Sequence, residues 1–392
     1  MKLEGLKAYY YDSDKIQKDD IIWGLLELGV DVVRPEIKVP INEYTEEQYL
    51  ELEKSMESAD FVITQNFSMI VAEVCHQKGM RYLSWIYDSP QTAVYHKEAF
   101  YSTNYIFVFD RTQLKRLKEI GLQNVYYQPL AANMAKTAML NISDEDIKIY
   151  GSDVSFVGRL YKRDYYHGFL RSLDSDTLQN YQTVIEKMAC KWEKGKSIFG
   201  KLGDTDQILY QKIMSYVEKP GDYAMAHEYI AEVLIFAAAI AKAEREKVLK
   251  VLGNKFQTLI FTDDLIEPGE LPGVEIRPEV SYDSEMFKVF FSSRINLNLT
   301  MRAIETGVPQ RVFDIMSVGG FVMSNYQEEM EELFVPDREI IVFHDMDEMM
   351  DKAGYYLSHE KKRVQIAMAG YKRVSSEYNY PESLKKMLKI AL

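Results

Sequence analysis

Short apolar runs separated by helix-length amphipathic stretches recur along this chain, and no other feature restricts its fold so severely. In the first half the runs are Leu6–Tyr11, Val30–Val33, Phe61–Thr64, Tyr82–Tyr87, Tyr105–Phe109 and Asn124–Tyr127. Helical patterns fall between them at Asp19–Leu28 (stopped by Gly29), Glu46–Ser58, Ser68–Lys78 and Thr112–Ile120 (stopped by Gly121). Runs with so little internal polar alternation suit strands covered on both faces, which is the condition of a parallel sheet with helical crossovers. Residues 1–150 are therefore expected to form one doubly wound α/β domain.

A second α/β domain is expected over residues 151–380. It opens at Val154–Gly158, and its strands resume at Phe256–Phe261, Val274–Ile276, Ile295–Leu299, Gly320–Ser324 and Ile340–Phe343. Between them a helical insertion, residues 165–252, interrupts the alternation and is expected to pack on this second domain. The chain closes with helices at Met346–Leu357, Lys361–Ser376 and Pro381–Ile390. The last of these, within residues 381–392, is expected to return to the first domain. Two halves of similar size facing across a cleft is the architecture that follows.

Composition narrows what such a molecule can do. Hydrophobic residues make up 47% and charged residues 27%, which excludes disordered and low-complexity classes. Lys and Arg number 47 against 60 Asp and Glu, for a net charge of −13. That surface repels phosphate backbones and anionic lipids, so a nucleic-acid partner is not expected. Cys75 and Cys190 stand far apart with no CxxC or Cys/His cluster, which excludes structural zinc and iron–sulfur sites. The N-terminus has no apolar signal core. The longest strictly apolar run, Val233–Ala241, has nine residues where a spanning helix needs ~20. No integral membrane segment is expected, and the location expected is cytoplasmic.

In α/β sheets ligands bind beyond the carboxyl ends of the strands. In the first half those ends carry Asp88-Ser89-Pro90 and Asp110-Arg111. Asp110 opens a helix and reads equally as a cap. Asp88 enters a loop instead, and with His96 it is a candidate acid–base group. In the second half Gly158 lets anion oxygens approach main-chain N–H groups, with Arg159, Lys162 and Arg163 following within five residues. The stretch Ile295–Phe321 reads as strand, polar loop and a helix Arg311–Val318 ended by Gly319-Gly320. Asp314 within it is either a dipole partner of that helix or a ligand for sugar hydroxyls. The D-x-D copies at Asp12, Asp174 and Asp204 are what chance supplies among 60 acids, and no P-loop, G-x-S-x-G or H-E-x-x-H occurs. The segment Tyr326–Asp351 holds ten acids and one arginine and reads as a solvated face without chemistry.

The run Arg311-Val312-Phe313-Asp314-Ile315-x-x-x-Gly319-Gly320-Phe321 resembles the glycosyltransferases related to spore maturation protein CgeB. Asn325-Tyr326, Tyr355-Tyr356-Leu357, Ala369-Gly370-Tyr371, Ile295–Asn298 and Gly307-x-Pro309-x-Arg311 belong to the same pattern. Trp85-x-x-Asp88-Ser89-Pro90, Phe107-x-Phe109-Asp110-Arg111 and Tyr127-x-Pro129-Leu130-Ala131 resemble the N-terminal domain often paired with it. The resemblance implies a GT-B fold: two Rossmann-like domains, with a nucleotide sugar on the second and the acceptor facing the first. It implies a metal-independent transferase whose donor is a nucleotide-diphosphate sugar, a UDP-sugar foremost, and whose acceptor is a carbohydrate or glycosylated protein. The donor set it implies is Gly158, Arg159, Arg163, Asn298, Arg302, Arg311, Asp314, Gly319 and Gly320. Asp314 takes the second of two family acid positions; the first falls on Thr306, beside Glu305. A non-catalytic glycan-binding or scaffold protein, and a nucleotide-sugar epimerase, remain alternatives on the same fold.

Overall fold

The structure is a computed structural model of the 392-residue chain and describes residues 3–11, 18–35, 44–162, 164–190, 192, 206–218, 221 and 223–392. Two six-stranded sheets organise it, and every strand pairing in both is parallel. The first contains β1 (Lys7–Tyr11), β2 (Asp31–Val33), β3 (Phe61–Gln65), β4 (Arg81–Trp85), β5 (Asn104–Val108) and β6 (Val125–Tyr127), in the order β2-β1-β3-β4-β5-β6. The second contains β7 (Val154–Val157), β8 (Thr258–Thr262), β9 (Val274–Pro278), β10 (Ile295–Asn298), β11 (Val322–Asn325) and β12 (Ile341–Phe343), in the order β12-β11-β10-β7-β8-β9. The α/β architecture of two Rossmann-like domains is the one the apolar runs imply.

Burial explains why those runs were so legible. Every residue of β3 and of β8 is buried, as a strand covered by helices on both faces requires. The edge strand β9 is mostly exposed and ends at Pro278, which blunts further pairing.

Strand order reverses direction between β7 and β10, which pair with Ile295 opposite Val154. Crossovers leave these two strands toward opposite flanks, so their carboxyl ends frame a crevice. The first sheet has its own reversal between β1 and β3.

Helices Tyr166–Arg171, Ser175–Met188, Gln207–Tyr216, His227–Ala231 and Ala238–Gly253 interrupt the crossover from β7 to β8. A π turn, Glu232–Ala237, joins the last two into one long helix. This insertion does not lie on the second domain alone. Ala224 N–H donates to Tyr95 O at 2.8 Å, and Tyr229 lies 4.1 Å beneath the Arg116 guanidinium of the first domain. Its apolar faces, such as Tyr181, Ile213 and Phe236, belong to the same buried cluster as Tyr9, Val62 and Tyr95.

The last helix, Tyr380–Ala391, packs on the first domain. Asn379 caps it through Glu382 N–H, and Pro381 sits in its first turn. Gly24 permits the approach: a Cβ there would stand 2.6 Å from Leu384 Cδ1. Tyr87 and Tyr380 share a 2.9 Å hydrogen bond between their hydroxyls.

Candidate functional site

The crevice between β7 and β10 is built by two turns. After β7, Gly158 takes φ +152°, closed to most side chains, and its N–H donates to Phe261 O at 3.0 Å. The following turn folds over Asp264, whose carboxylate accepts from Leu160 N–H and from Lys162 N–H. After β10, a polar loop leads to the helix Gln310–Ser317, whose first amides carry no side-chain cap. Those amides and the helix dipole are available to an anion.

The cations expected here have divergent fates. Arg311 keeps its guanidinium between Met286 Sδ, at 3.0 Å, and the Phe290 ring, at 5.5 Å, and hydrogen-bonds no carboxylate among the described residues. Burial lowers its pKa below the ordinary arginine value. Arg159 is half-exposed and lies 3.7 Å from Asp263. Lys162 is committed elsewhere, to Glu270 at 2.5 Å and Leu265 O at 2.8 Å. Arg302 is likewise committed, donating to Glu244 at 2.8 Å and Met188 O at 2.6 Å. Arg302 thus pairs a buried acid on the insertion's last helix. Arg163 lies outside the described residues.

Sequence reasoning passed over Arg245. It extends from the insertion's last helix into the crevice, donates to Arg159 O, and donates to Leu299 O at 2.8 Å. Its guanidinium lies 4.7 Å from the Tyr161 ring and 5.3 Å from Phe156.

Asn298 donates to Thr300 Oγ1 at 2.9 Å and Ser324 Oγ at 2.8 Å, which ties β10 to β11 from within the sheet. Gly319, at φ +71°, terminates the Gln310–Ser317 helix, and Gly320 N–H donates to Ile315 O at 3.0 Å. Both precede the amino end of β11, away from the crevice, where they shape the end of the helix. Asp174 and Asp206 of the D-x-D copies are helix N-caps; Asp12 and Asp204 lie outside the described residues.

Asp314 sits beside the crevice in a polar cluster that joins the domains. It is 3% exposed and accepts from Gln310 Nε2 at 2.8 Å and Tyr282 Oη at 3.2 Å. Tyr282 Oη is also 3.1 Å from Asp20 on the first domain, which Lys136 pairs at 2.9 Å. Burial raises the Asp314 pKa to about 7 against the opposing field of Arg311.

On the first domain, Asn66, in the left-handed region at φ +62°, holds the loop after β4. Its Oδ1 accepts from Tyr87 N–H at 2.8 Å, and its Nδ2 donates to Asp88 at 2.8 Å. Asp88 is exposed at that strand end. His96 is drawn away from it, paired with Glu98 and packed 4.9 Å from the insertion's Tyr223.

A second joint between the domains gathers Asp110, Thr306 and Glu329. Asp110 caps its helix through Thr112 and Gln113 N–H and also accepts from Glu305 N–H at 2.8 Å and Thr306 N–H at 3.2 Å. Glu329, fully buried, accepts from Tyr127 Oη at 2.6 Å and Arg111 N–H at 2.7 Å. Thr306 Oγ1 lies 2.7 Å from Glu329 and 3.0 Å from Asp110, yet its one proton serves one of them. A protonated Glu329 donating to Thr306, which donates on to Asp110, satisfies every atom. Burial raises the Glu329 pKa to about 7 in accord with that arrangement. The acid-rich run Tyr326–Asp351 is thus not uniformly a solvated face. Among the described residues no group of three or more His, Cys, Asp or Glu converges as a metal site, and no helix is long and apolar enough to cross a membrane.

Residues 233–389 match a family model described as glycosyl transferase-like. No curated protein matches the chain. Among solved structures, a glycosyltransferase from Rickettsia africae superposes with TM-score 0.57 at 10% identity, covering 98% of this chain and 97% of its own. Sucrose-phosphate synthase from Thermosynechococcus elongatus gives 0.54 at 8% identity, with 98% of each chain covered. Anabaena HepE in complex with UDP-glucose gives 0.54 at 8% identity, again with 98% of each chain covered. These likenesses establish the GT-B fold of the chain.

Proposed function

We propose that this chain is a GT-B glycosyltransferase, of the kind related to CgeB, that takes a sugar from a nucleotide-diphosphate donor. The observation that carries the reading is the crevice between β7 and β10, where the Gly158 turn, the uncapped amides of the Gln310–Ser317 helix and Arg311 converge, with no carboxylate hydrogen-bonded to Arg311 among the described residues. The glycosyl transferase-like match over residues 233–389 spans β8, β10 and this helix. The solved complex of HepE with UDP-glucose supports a UDP-sugar as the first donor to try.

In this reading the bond from the anomeric carbon to the phosphate oxygen breaks, and negative charge grows on the departing diphosphate. Fixed amides and guanidinium groups stabilise that charge at little reorganisation cost, so no metal is required. Asp314 receives the donor's ribose hydroxyls once Tyr282 yields its place. The acceptor, a carbohydrate or glycosylated protein, approaches from the first domain, where Asp88 accepts the proton of the attacking hydroxyl or orients it. The enzyme works in the cytoplasm.

Incubation with a panel of nucleotide sugars, with assay of free nucleoside diphosphate, tests the reading, and thermal-shift screening of UDP, GDP, dTDP and CMP identifies the base. Release of nucleoside diphosphate supports a transferase. Conversion of the sugar with the nucleotide still attached makes it an epimerase, and binding of glycan without turnover makes it a scaffold. Asp88→Asn should lower turnover about 10²–10⁴-fold with donor binding nearly unchanged. Normal turnover in Asp88→Asn with loss in His96→Ala assigns the base to His96.

A further inference from the structure

We infer that Arg245, contributed by the helical insertion, is the principal phosphate-binding cation of the donor crevice. The inference rests on the nucleotide-sugar reading above and adds to it a residue from a part of the chain with no evident chemistry of its own.

Among the described residues, the positions after β7 offer little charge to a diphosphate. Lys162 is tied to Glu270, and Arg159 is half-exposed beside Asp263. Arg245 is placed otherwise. Its Nη1 and Nη2 donate to Arg159 O and Leu299 O, the first carbonyls past the glycine of one strand end and past the other strand itself. The guanidinium therefore bridges β7 and β10 across the crevice where the strand order reverses.

Arg245 is 8% exposed, and its Nε is buried without a hydrogen-bond partner. No ion pair to a carboxylate accompanies it among the described residues, and both of its hydrogen bonds go to neutral carbonyls. Of five guanidinium N–H donors, two are used in this way. The field of Arg245 also falls on Arg311, which it destabilises as a cation. Asp314 offsets part of this for Arg311, but among the described residues no carboxylate pairs Arg245, and a ligand of at least two negative charges relieves the cost of burying it. A diphosphate seated beside the Gly158 turn meets that requirement, facing the planar fork of Arg245.

The helix that carries Arg245 is fixed from its other side. Neighbouring Glu244 is 2% exposed and holds Arg302 at 2.8 Å. The π turn at Glu232–Ala237 adds a residue to one turn and so sets the phase at which Glu244 and Arg245 both point inward. One residue anchors the helix, and the next is left for the ligand.

The test is calorimetric titration of UDP and of uridine into wild type and Arg245→Met, with melting temperature recorded without nucleotide. Arg245→Met should lose about 10- to 150-fold in UDP affinity, the range for a charge-assisted hydrogen bond, while uridine binds as before. Equal losses for UDP and uridine, or no loss for either, would show Arg245 to be only a staple between two carbonyls. Should Arg245→Met fail to fold, Arg245→Lys keeps a cation and must still lose more for UDP than for uridine; parity overturns the inference. Failure of the wild type to bind UDP or any other nucleoside diphosphate overturns the nucleotide-sugar reading itself. Normal UDP binding by the Arg245 variants overturns only the role of Arg245.

Discussion

The two places where the domains meet around the cleft are built on opposite electrostatic terms. At the Asp110–Thr306–Glu329 joint every charge has an answer: Asp110 holds four backbone N–H groups, Glu305 pairs Arg116, and Glu332 pairs Arg111. Nearby, Arg245 and Arg311 have no carboxylate hydrogen-bonded to them among the described residues, and Asp314 is held by the neutral groups of Gln310 and Tyr282. The first region is finished by folding. The second is left incomplete, in the manner of a site that a ligand completes. In the proposed reading, pairing, rather than position near the cleft, separates structural charges from those that serve a ligand.

The largest expected effect breaks a finished pair. Arg302→Met leaves Glu244 charged and buried, so unfolding free energy in urea should fall by about 3–5 kcal/mol. The folded fraction should bind nucleotide as the wild type does. A selective loss of nucleotide affinity would return Arg302 to the donor site and dissolve the distinction.

Next in size is the pH dependence of the finished joint. Glu329 has a folded pKa raised to about 7 from 4.5. Between those values the unfolded chain has released this proton and the folded chain still holds it, so stability falls as pH rises. The contribution is full below pH 4.5 and lost above 7, a span of about 3 kcal/mol. Glu329→Gln should flatten this part of the stability profile measured from pH 4.5 to 8. An unchanged slope in that variant would mean that Asp314, with its pKa also near 7, carries the dependence.

Arg311→Ala probes the incomplete region and should reverse the pattern of Arg302→Met. Nucleotide diphosphate affinity should drop by about 1.5–3 kcal/mol, with little change in melting temperature. A large loss of stability with intact affinity would mark Arg311 as another structural cation. The smallest effect belongs to Lys162→Met. Its pair with Glu270 is near the surface, so both stability and affinity should change by less than about 1 kcal/mol.

The fold was legible because its determinants are local. The inner strands of both sheets are mostly apolar or wholly buried, and β3 and β8 are buried along their whole length. The Gly158 turn and the helix bearing Arg311 and Asp314 were legible for the same reason, since a strand end and a helix start are written in neighbouring residues. Ion pairing is not written there. Lys162 finds Glu270 across 108 positions and Arg302 finds Glu244 across 58. Three cations near a glycine therefore looked equivalent, while Arg245, inside a long amphipathic helix, resembled any solvated arginine. Glu329 was hidden by company: nine other acids surround it in Tyr326–Asp351, and tertiary packing alone singles it out.

The return of the Tyr380–Ala391 helix to the first domain bears on how the molecule is made. A ribosome delivers residues 1–150 first, yet the face around Gly24, Trp85 and Tyr87 finds its cover only when the final helix emerges. At ~5–20 residues per second, synthesis of the intervening chain takes roughly 10–50 s. For that interval the first domain carries an open apolar seam beside the exit tunnel, where chaperones and neighbouring nascent chains compete for it. Completion of the first domain thus waits on synthesis of the second.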